Sequence, residues 1–208
     1  MKLTVLFVLV AAGVLAFLLK PEDRGLETAN AALTPLNGTA RASCEGTPCA
    51  FIDLDALDAN IDFVKREVGA RRLRVVAKSL PSLELLAHVM ERAQTKRLMV
   101  FHAPHAETLL ANFKDADLLF GKPMPEEATL ALVKHVGDDA ARVRFLVDSR
   151  ERLAGLVRVA RAQKRTLRVV IELDVGLRRG GVVHDNELVA LMDSLAQSPE
   201  LTFAGVMG

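Results

Sequence analysis

From Cys49 onward, short apolar runs alternate with amphipathic segments, and this alternation limits which folds are open to the chain. The runs are CAFIDL (49–54), the Arg74–Lys78 stretch, LMVFH (98–102), DLLFG (117–121), VRFLVDS (143–149), LRVVIELDVG (167–176) and LTFAGVMG (201–208). They are apolar throughout rather than alternating, the mark of parallel strands covered by helices. Between them lie helical stripes. Asp55 opens a helix with Leu57, Ile61, Val64 and Val68 on one face. Later helices carry Leu83, Leu86, Ala87 and Met90, then Leu109, Leu110 and Phe113, then Glu126–Val136, then Leu153, Val157 and Ala160, then Asn186–Ala196.

Repeated strand–helix units build either a doubly wound sheet or a β/α barrel. No glycine-rich phosphate loop follows the first strand, which counts against a dinucleotide-binding sheet. Polar residues recur where apolar runs end, at Lys78, His102, Lys122, Asp148 and Asp174, and a barrel gathers such ends at one mouth. The expected fold is therefore α/β, a TIM-type (β/α)8 barrel. With CAFIDL set aside, six barrel strands are legible, where closure takes eight. The chain also stops inside a strand, so the expectation is an N-terminal fragment of a longer protein.

Residues 1–20 have a different character. An unbroken apolar run covers Leu3–Leu19, between Lys2 and Lys20-Pro21. It is near the lower limit for spanning a bilayer and a little long for a signal-peptide core. It reads as a hydrophobic helix serving as signal anchor or export signal, with anchoring through residues 3–19 favoured and a cytoplasmic location as the alternative. Lys2, Lys20 and Arg24 are too balanced to fix an orientation. Residues 21–47 are rich in Gly, Ala, Thr, Asn and Pro and read as a linker. They include the glycosylation triplet Asn37-Gly38-Thr39. Cys44 and Cys49 form either a small loop disulfide, if the chain is exported, or two free thiols. No cysteine or histidine spacing matches a metal site. The net charge of +1 and the lack of an aromatic-rich basic stretch argue against a dedicated nucleic-acid binder, and tyrosine is absent, so no tyrosine of this chain can donate a proton.

Lys78 closes an apolar strand. Burial would disfavour its charged form and lower its pKa, as an amine nucleophile requires. The plain reading is a strand-end lysine whose stem snorkels into solvent. Downstream, Arg179 lies in a loop whose glycines, Gly180 and Gly181, permit close backbone approach.

Three segments in order, TPCAFIDLDALDANI, RVVAKS and IELDVGLRRGGV, resemble the alanine racemase N-terminal-type barrel of fold type III, particularly its D-threonine aldolase and D-serine dehydratase branch. The family's opening T-P-x-x-x-x-D-x-x-A-x-x-x-N segment fits Thr47, Pro48, Asp53, Ala56 and Asn60. Its arginine four residues before the cofactor lysine fits Arg74 and Lys78. Its D-x-G-x-x-R-x-G-V loop fits Asp174, Gly176, Arg179, Gly181 and Val182. The resemblance covers residues 48–208 and implies a barrel that binds pyridoxal 5'-phosphate. It departs from the pattern in two places. Val75-Val76-Ala77 stands where aldolase and dehydratase members carry a histidine, and Ser79-Leu80-Pro81 replaces the alanine racemase run after the lysine. That K-S-L-P turn is also similar to the small pyridoxal-phosphate homeostasis proteins.

By this resemblance Lys78 holds the cofactor as a Schiff base and later acts as a base near the substrate Cα. Arg179 faces the cofactor's phenolic oxygen or the substrate carboxylate, where a planar bidentate donor is useful. Asp174 braces that loop, and His102 is a candidate pocket residue. His105, Lys122 and Asp148 are weaker candidates, and His88 and His135 sit in helix patterns. The implied activity is a lyase acting on a small D-amino acid, by aldol cleavage or dehydration of a D-hydroxy amino acid. Racemisation and non-catalytic cofactor binding are the alternatives, and a third is that the isolated 208-residue fragment, an open six-strand barrel, is inactive. A divalent metal would come through residues beyond this chain, and the full-length protein would be a homodimer.

Overall fold

Six apolar runs become strands because valine, leucine and isoleucine fill both sides of a sheet that is covered twice. The computed structural model describes residues 50–69, 73–80 and 82–208, together with residues 34, 38, 43, 44, 47 and 48. The apolar run 3–19 and the glycosylation triplet, apart from Gly38, lie outside the described residues. Among the described residues, no helix is long and apolar enough to cross a membrane.

The chain divides into residues 1–53 and a larger unit, Leu54–Gly208. In the first, Cys44 is disulfide-bonded. Its carbonyl accepts hydrogen bonds from the Thr47 amide and hydroxyl at 2.7 and 2.6 Å. The disulfide thus holds at Cys44 rather than the free thiol; Cys49 lies outside the described residues. CAFIDL does not form the expected strand. Residues 50–53 carry no regular structure, and Phe51 and Ile52 stand about half exposed without a ladder partner. An apolar run needs a neighbouring strand to become one, and the helical stripe takes over at Leu54.

The larger unit runs α1 (Leu54–Val68), β1 (Val75–Val76), α2 (Leu83–Ala93), β2 (Arg97–Val100), α3 (Ala103–Asn112) and β3 (Asp117–Phe120). It continues through α4 (Glu126–Val136), β4 (Val143–Val147), α5 (Arg150–Gln163), β5 (Leu167–Glu172), α6 (Asp185–Ala196) and β6 (Leu201–Met207). Ser82 and Ser149 start α2 and α5 by accepting from the Leu85 and Arg152 amides. Gln94 and Lys164 end those helices in left-handed conformation.

The sheet decides between the two architectures. Its order is β1-β2-β3-β4-β5-β6 and every neighbouring pair is parallel. A doubly wound sheet reverses direction at a switch point; this one never does. It is an open six-stranded arc of a β/α barrel.

Two cores follow from the two faces. Toward the helices, Leu98, Val100, Leu118, Phe120, Val143, Phe145, Leu167 and Ile171 are almost wholly buried, and Phe120 stacks on Phe145 with centroids 5.7 Å apart. The helix stripes meet this core unevenly. Ile61, Leu86, Leu109 and Leu153 are buried, but Val64 and Val68 remain exposed, and Val89 takes the place expected of Ala87. The inner face is layered, as barrel interiors are. Its middle layer is Leu119, Leu146 and Val170, with Met99, Ala204 and Met207 packed on it. Below, where the strands begin, the Asp117 carboxylate takes Arg74 at 2.6 Å, Arg144 at 2.7 Å and Arg168 at 3.2 Å. Burial pushes the Asp117 carboxyl up, but hydrogen bonds from Arg144 and Arg74 outweigh it and hold the group below its ordinary range.

Candidate active site

The upper layer, where the strands end, is a cleft of about 440 Å³. Lys78, Phe101, Lys122, Glu172, Arg179 and Gly180 line it. This is the face on which β/α barrels place their chemistry.

Lys78 reaches the cleft from a tight turn. Strand β1 is only two residues long, and residues 77–79 form one turn of 3-10 helix. Ala77 is fully buried and its carbonyl accepts from the Leu80 amide at 3.0 Å. The next side chain is turned outward, and the Lys78 ammonium stands 4.2 Å above the centroid of the Phe101 ring. Lys78 is therefore exposed, contrary to the expected burial. The strand stops early, and what holds the amine is an aromatic face rather than the core. Arg74, four residues earlier, serves the opposite layer; it donates to Leu98 O at 2.9 Å and Asp117 O at 2.8 Å.

The second contribution is the loop after β5. The Asp174 amide donates to Val182 O at 3.0 Å and the Val182 amide to Glu172 O at 2.8 Å, closing residues 173–182 into a tight lobe. Asp174 Oδ1 accepts from the amides of Gly176 at 2.9 Å and Arg178 at 3.1 Å. Those two hydrogen bonds hold the Asp174 carboxyl below its ordinary range. Asp174 is thus the expected brace. Gly181 has φ of +100°, and a Cβ there would come within 2.5 Å of the Asp174 amide nitrogen. The lobe presents Arg179, exposed, to the cleft that holds Lys78.

His102 stays outside this group. It caps α3 with its backbone, accepting from the Ala106 amide at 3.1 Å, and its side chain makes no capping bond and does not line the cleft. His105 lies beside it. Burial, then the proximity of His102, lowers the His105 pKa. His88 pairs with Asp58 at 2.6 Å on the outer surface. Among the described residues, no three metal-binding side chains converge.

Two residues carry more of the site than the sequence suggests. Lys122 donates to Glu172 Oε1 at 3.2 Å and to Arg179 O at 3.1 Å. Glu172 is buried, and its Oε2 has no hydrogen-bond partner among the described residues. Pairing joins the ends of β3 and β5, fifty positions apart, so no local motif announces it. A second cavity of about 290 Å³ lies on the helix side of β4. Arg158 pairs there with Glu126 at 2.6 Å, and neither Lys78, Lys122, Glu172 nor Arg179 lines it.

An arc of parallel strands with a lysine and an arginine converging at its C-terminal mouth defines a class, the lysine-bearing β/α barrels. The profile of the alanine racemase N-terminal domain matches residues 52–208, and the chain belongs to that family, whose members are fold-type III pyridoxal-phosphate proteins. It is 27% identical over 164 residues to the 3-hydroxy-D-aspartate aldolase of Paracoccus denitrificans, covering 77% of this chain and 42% of the aldolase. The chain thus spans about two fifths of the length of that relative. The fold is shared with D-threonine aldolase from Filomicrobium marinum, at TM-score 0.65 and 24% identity over 77% of this chain and 41% of that one. It is shared equally with a D-threo-3-hydroxyaspartate dehydratase, at TM-score 0.66 and 24% identity over the same shares.

The residues at the mouth fit the family's cofactor. An exposed amine, Lys78, is available to an aldehyde. A guanidinium, Arg179, suits a phenolate or a carboxylate. Glu172 Oε2 is a buried acceptor that still wants a donor, and glycines at 180 and 181 leave room for close approach.

Proposed function

We propose that this chain is the barrel portion of a pyridoxal-phosphate-dependent lyase that cleaves or dehydrates a small D-hydroxy amino acid. The observation that carries the reading is the convergence of Lys78 and Arg179, a hundred positions apart in the chain, on one cleft at the strand ends. The aldolase relative supports the choice of lyase. Racemases have the same fold, as the histidine racemase from Leuconostoc mesenteroides does at TM-score 0.62, so racemisation is the alternative.

Bound pyridoxal phosphate supplies an electron sink for the pair of electrons left at Cα when a bond there breaks. Lys78 Nζ would hold it. The same amine, poised over Phe101, takes or returns a proton at Cα. Arg179 binds the carboxylate or the phenolic oxygen with a planar pair of N–H groups and so fixes which Cα bond is presented.

Incubation with pyridoxal phosphate, reduction by borohydride and peptide mapping test this directly. A pyridoxyl group on Lys78 alone is expected, and Lys78→Ala is expected to lose it. Labelling scattered over surface lysines would return Lys78 to an ordinary strand-end lysine and take the enzyme reading with it.

We also infer that the apolar run 3–19 anchors or exports the domain; the disulfide at Cys44 suits an oxidising compartment. Recovery of the protein solely in the cytosolic fraction, with Cys44 reactive to alkylating agents, would refute this placement.

A further inference from the structure

We propose that Lys122 is a positioning residue: it clamps the Arg179 lobe over the cleft by binding the backbone carbonyl of Arg179, itself one of the residues that line the cleft. The proposal deepens the reading above and rests on Arg179 facing the cofactor or substrate.

The lobe is secured at its base and in its first half. Leu173 N donates to Met207 O at 2.8 Å, the Asp174–Val182 bonds close the neck, and Asp174 Oδ1 braces Gly176 and Arg178. Its second half, Arg179-Gly180-Gly181, runs through φ values of +144° at Gly180 and +100° at Gly181. Lys122, just after β3, donates to Arg179 O in this half at 3.1 Å.

The same ammonium bonds Glu172 Oε1 at 3.2 Å, and the two groups are unequally placed. The Glu172 side chain is 9% exposed and that of Lys122 is 41% exposed. A carboxylate that deeply placed needs its counter-charge. Lys122 supplies it from the solvent side and spends a remaining donor on the lobe. Gly180 makes this contact feasible. A Cβ there would stand 3.2 Å from Glu172 Oε2 and 3.4 Å from Lys122 Nζ, so a side chain at 180 would crowd the pair by a few tenths of an ångström, at a backbone φ of +144° that already favours glycine. An ordinary ion pair closing the mouth would need neither a glycine at 180 nor a bond to the Arg179 carbonyl.

The test uses the full chain, with Lys122→Met and with Lys122→Cys alkylated by bromoethylamine without reduction, which rebuilds an ammonium at nearly the same reach and spares the disulfide. Hydrogen exchange is followed at the amides of Gly176, Arg178 and Val182, and pyridoxal phosphate affinity by the visible absorbance of the bound cofactor. Lys122→Met is expected to speed exchange at these amides and to weaken cofactor binding, each by about ten- to hundredfold, the range for losing a charged hydrogen bond. Aminoethylation is expected to restore both. Exchange unchanged in Lys122→Met, or faster exchange that aminoethylation leaves unrestored, overturns the clamp. If the parent chain shows no trapping on Lys78, the cofactor reading fails by itself, and exchange still decides the clamp.

Discussion

Gly181 and Gly176 both have positive φ, but only Gly181 faces backbone where a Cβ would go. Gly181→Ala is expected to cost well over the roughly 1–2 kcal/mol of a left-handed alanine, and Gly176→Ala about that alone. Urea unfolding of the two variants measures the difference; equal costs would mean that the Asp174 contact does not demand the glycine. Asp117 gives a pH signature. Its folded pKa lies below the unfolded one, so its contribution is fully present above about pH 4 and is lost as pH falls through the lowered value. Asp117→Asn should flatten the acid limb of stability against pH. Asp117→Ala, which removes the carboxylate that Arg74, Arg144 and Arg168 share, should cost about 3 kcal/mol at neutral pH. Of the candidate site, Lys78 and Arg179 were legible because each sits in a local motif. Lys122 and Glu172 were not, because their meaning lies in a pairing across β3 and β5. His102 is not among the residues that line the cleft, and its place after an apolar run is also that of a helix start.

The elements themselves were largely readable. Period-free apolar runs between stripes of period 3.6 named every strand from β1 to β6 and set α4 at Glu126–Val136. Two errors share a cause. CAFIDL is apolar but lacks a partner strand, and Arg74–Lys78 forms only two residues of ladder before turning. Hydrophobicity reports burial, whereas a strand also requires a neighbour in register. At this scale the core should behave as a packed interior. Leu118 is fully buried on β3, and Leu118→Ala should lose about 3 kcal/mol. On exposed Val68 of α1, Val68→Ala should change stability by no more than about 0.5 kcal/mol. Thermal unfolding of both separates a filled core position from an uncovered stripe.

Among the described residues the sheet is an arc with β1 and β6 as its outer strands, and β6 carries exposed Phe203 and Val206. Unpaired strand edges beside apolar side chains recruit other strands. Sedimentation of the 208-residue chain should show self-association that rises with concentration and falls in Val206→Lys. A monomer unaffected by that change would mean that the edge is already protected. The unbroken strand order has a further consequence, for how the molecule is made. Each ladder joins segments separated by a single helix and its turns, so no pairing waits for distant parts of the chain to meet. Closure entropy grows only logarithmically with loop length, and here it is met in similar steps, strand after strand. During synthesis, β2 can therefore dock on β1 and β3 on β2 as each emerges. Lys78 lies on the first unit completed and Arg179 on the loop after the fifth strand, so the site is assembled late, by a sheet that grows toward it.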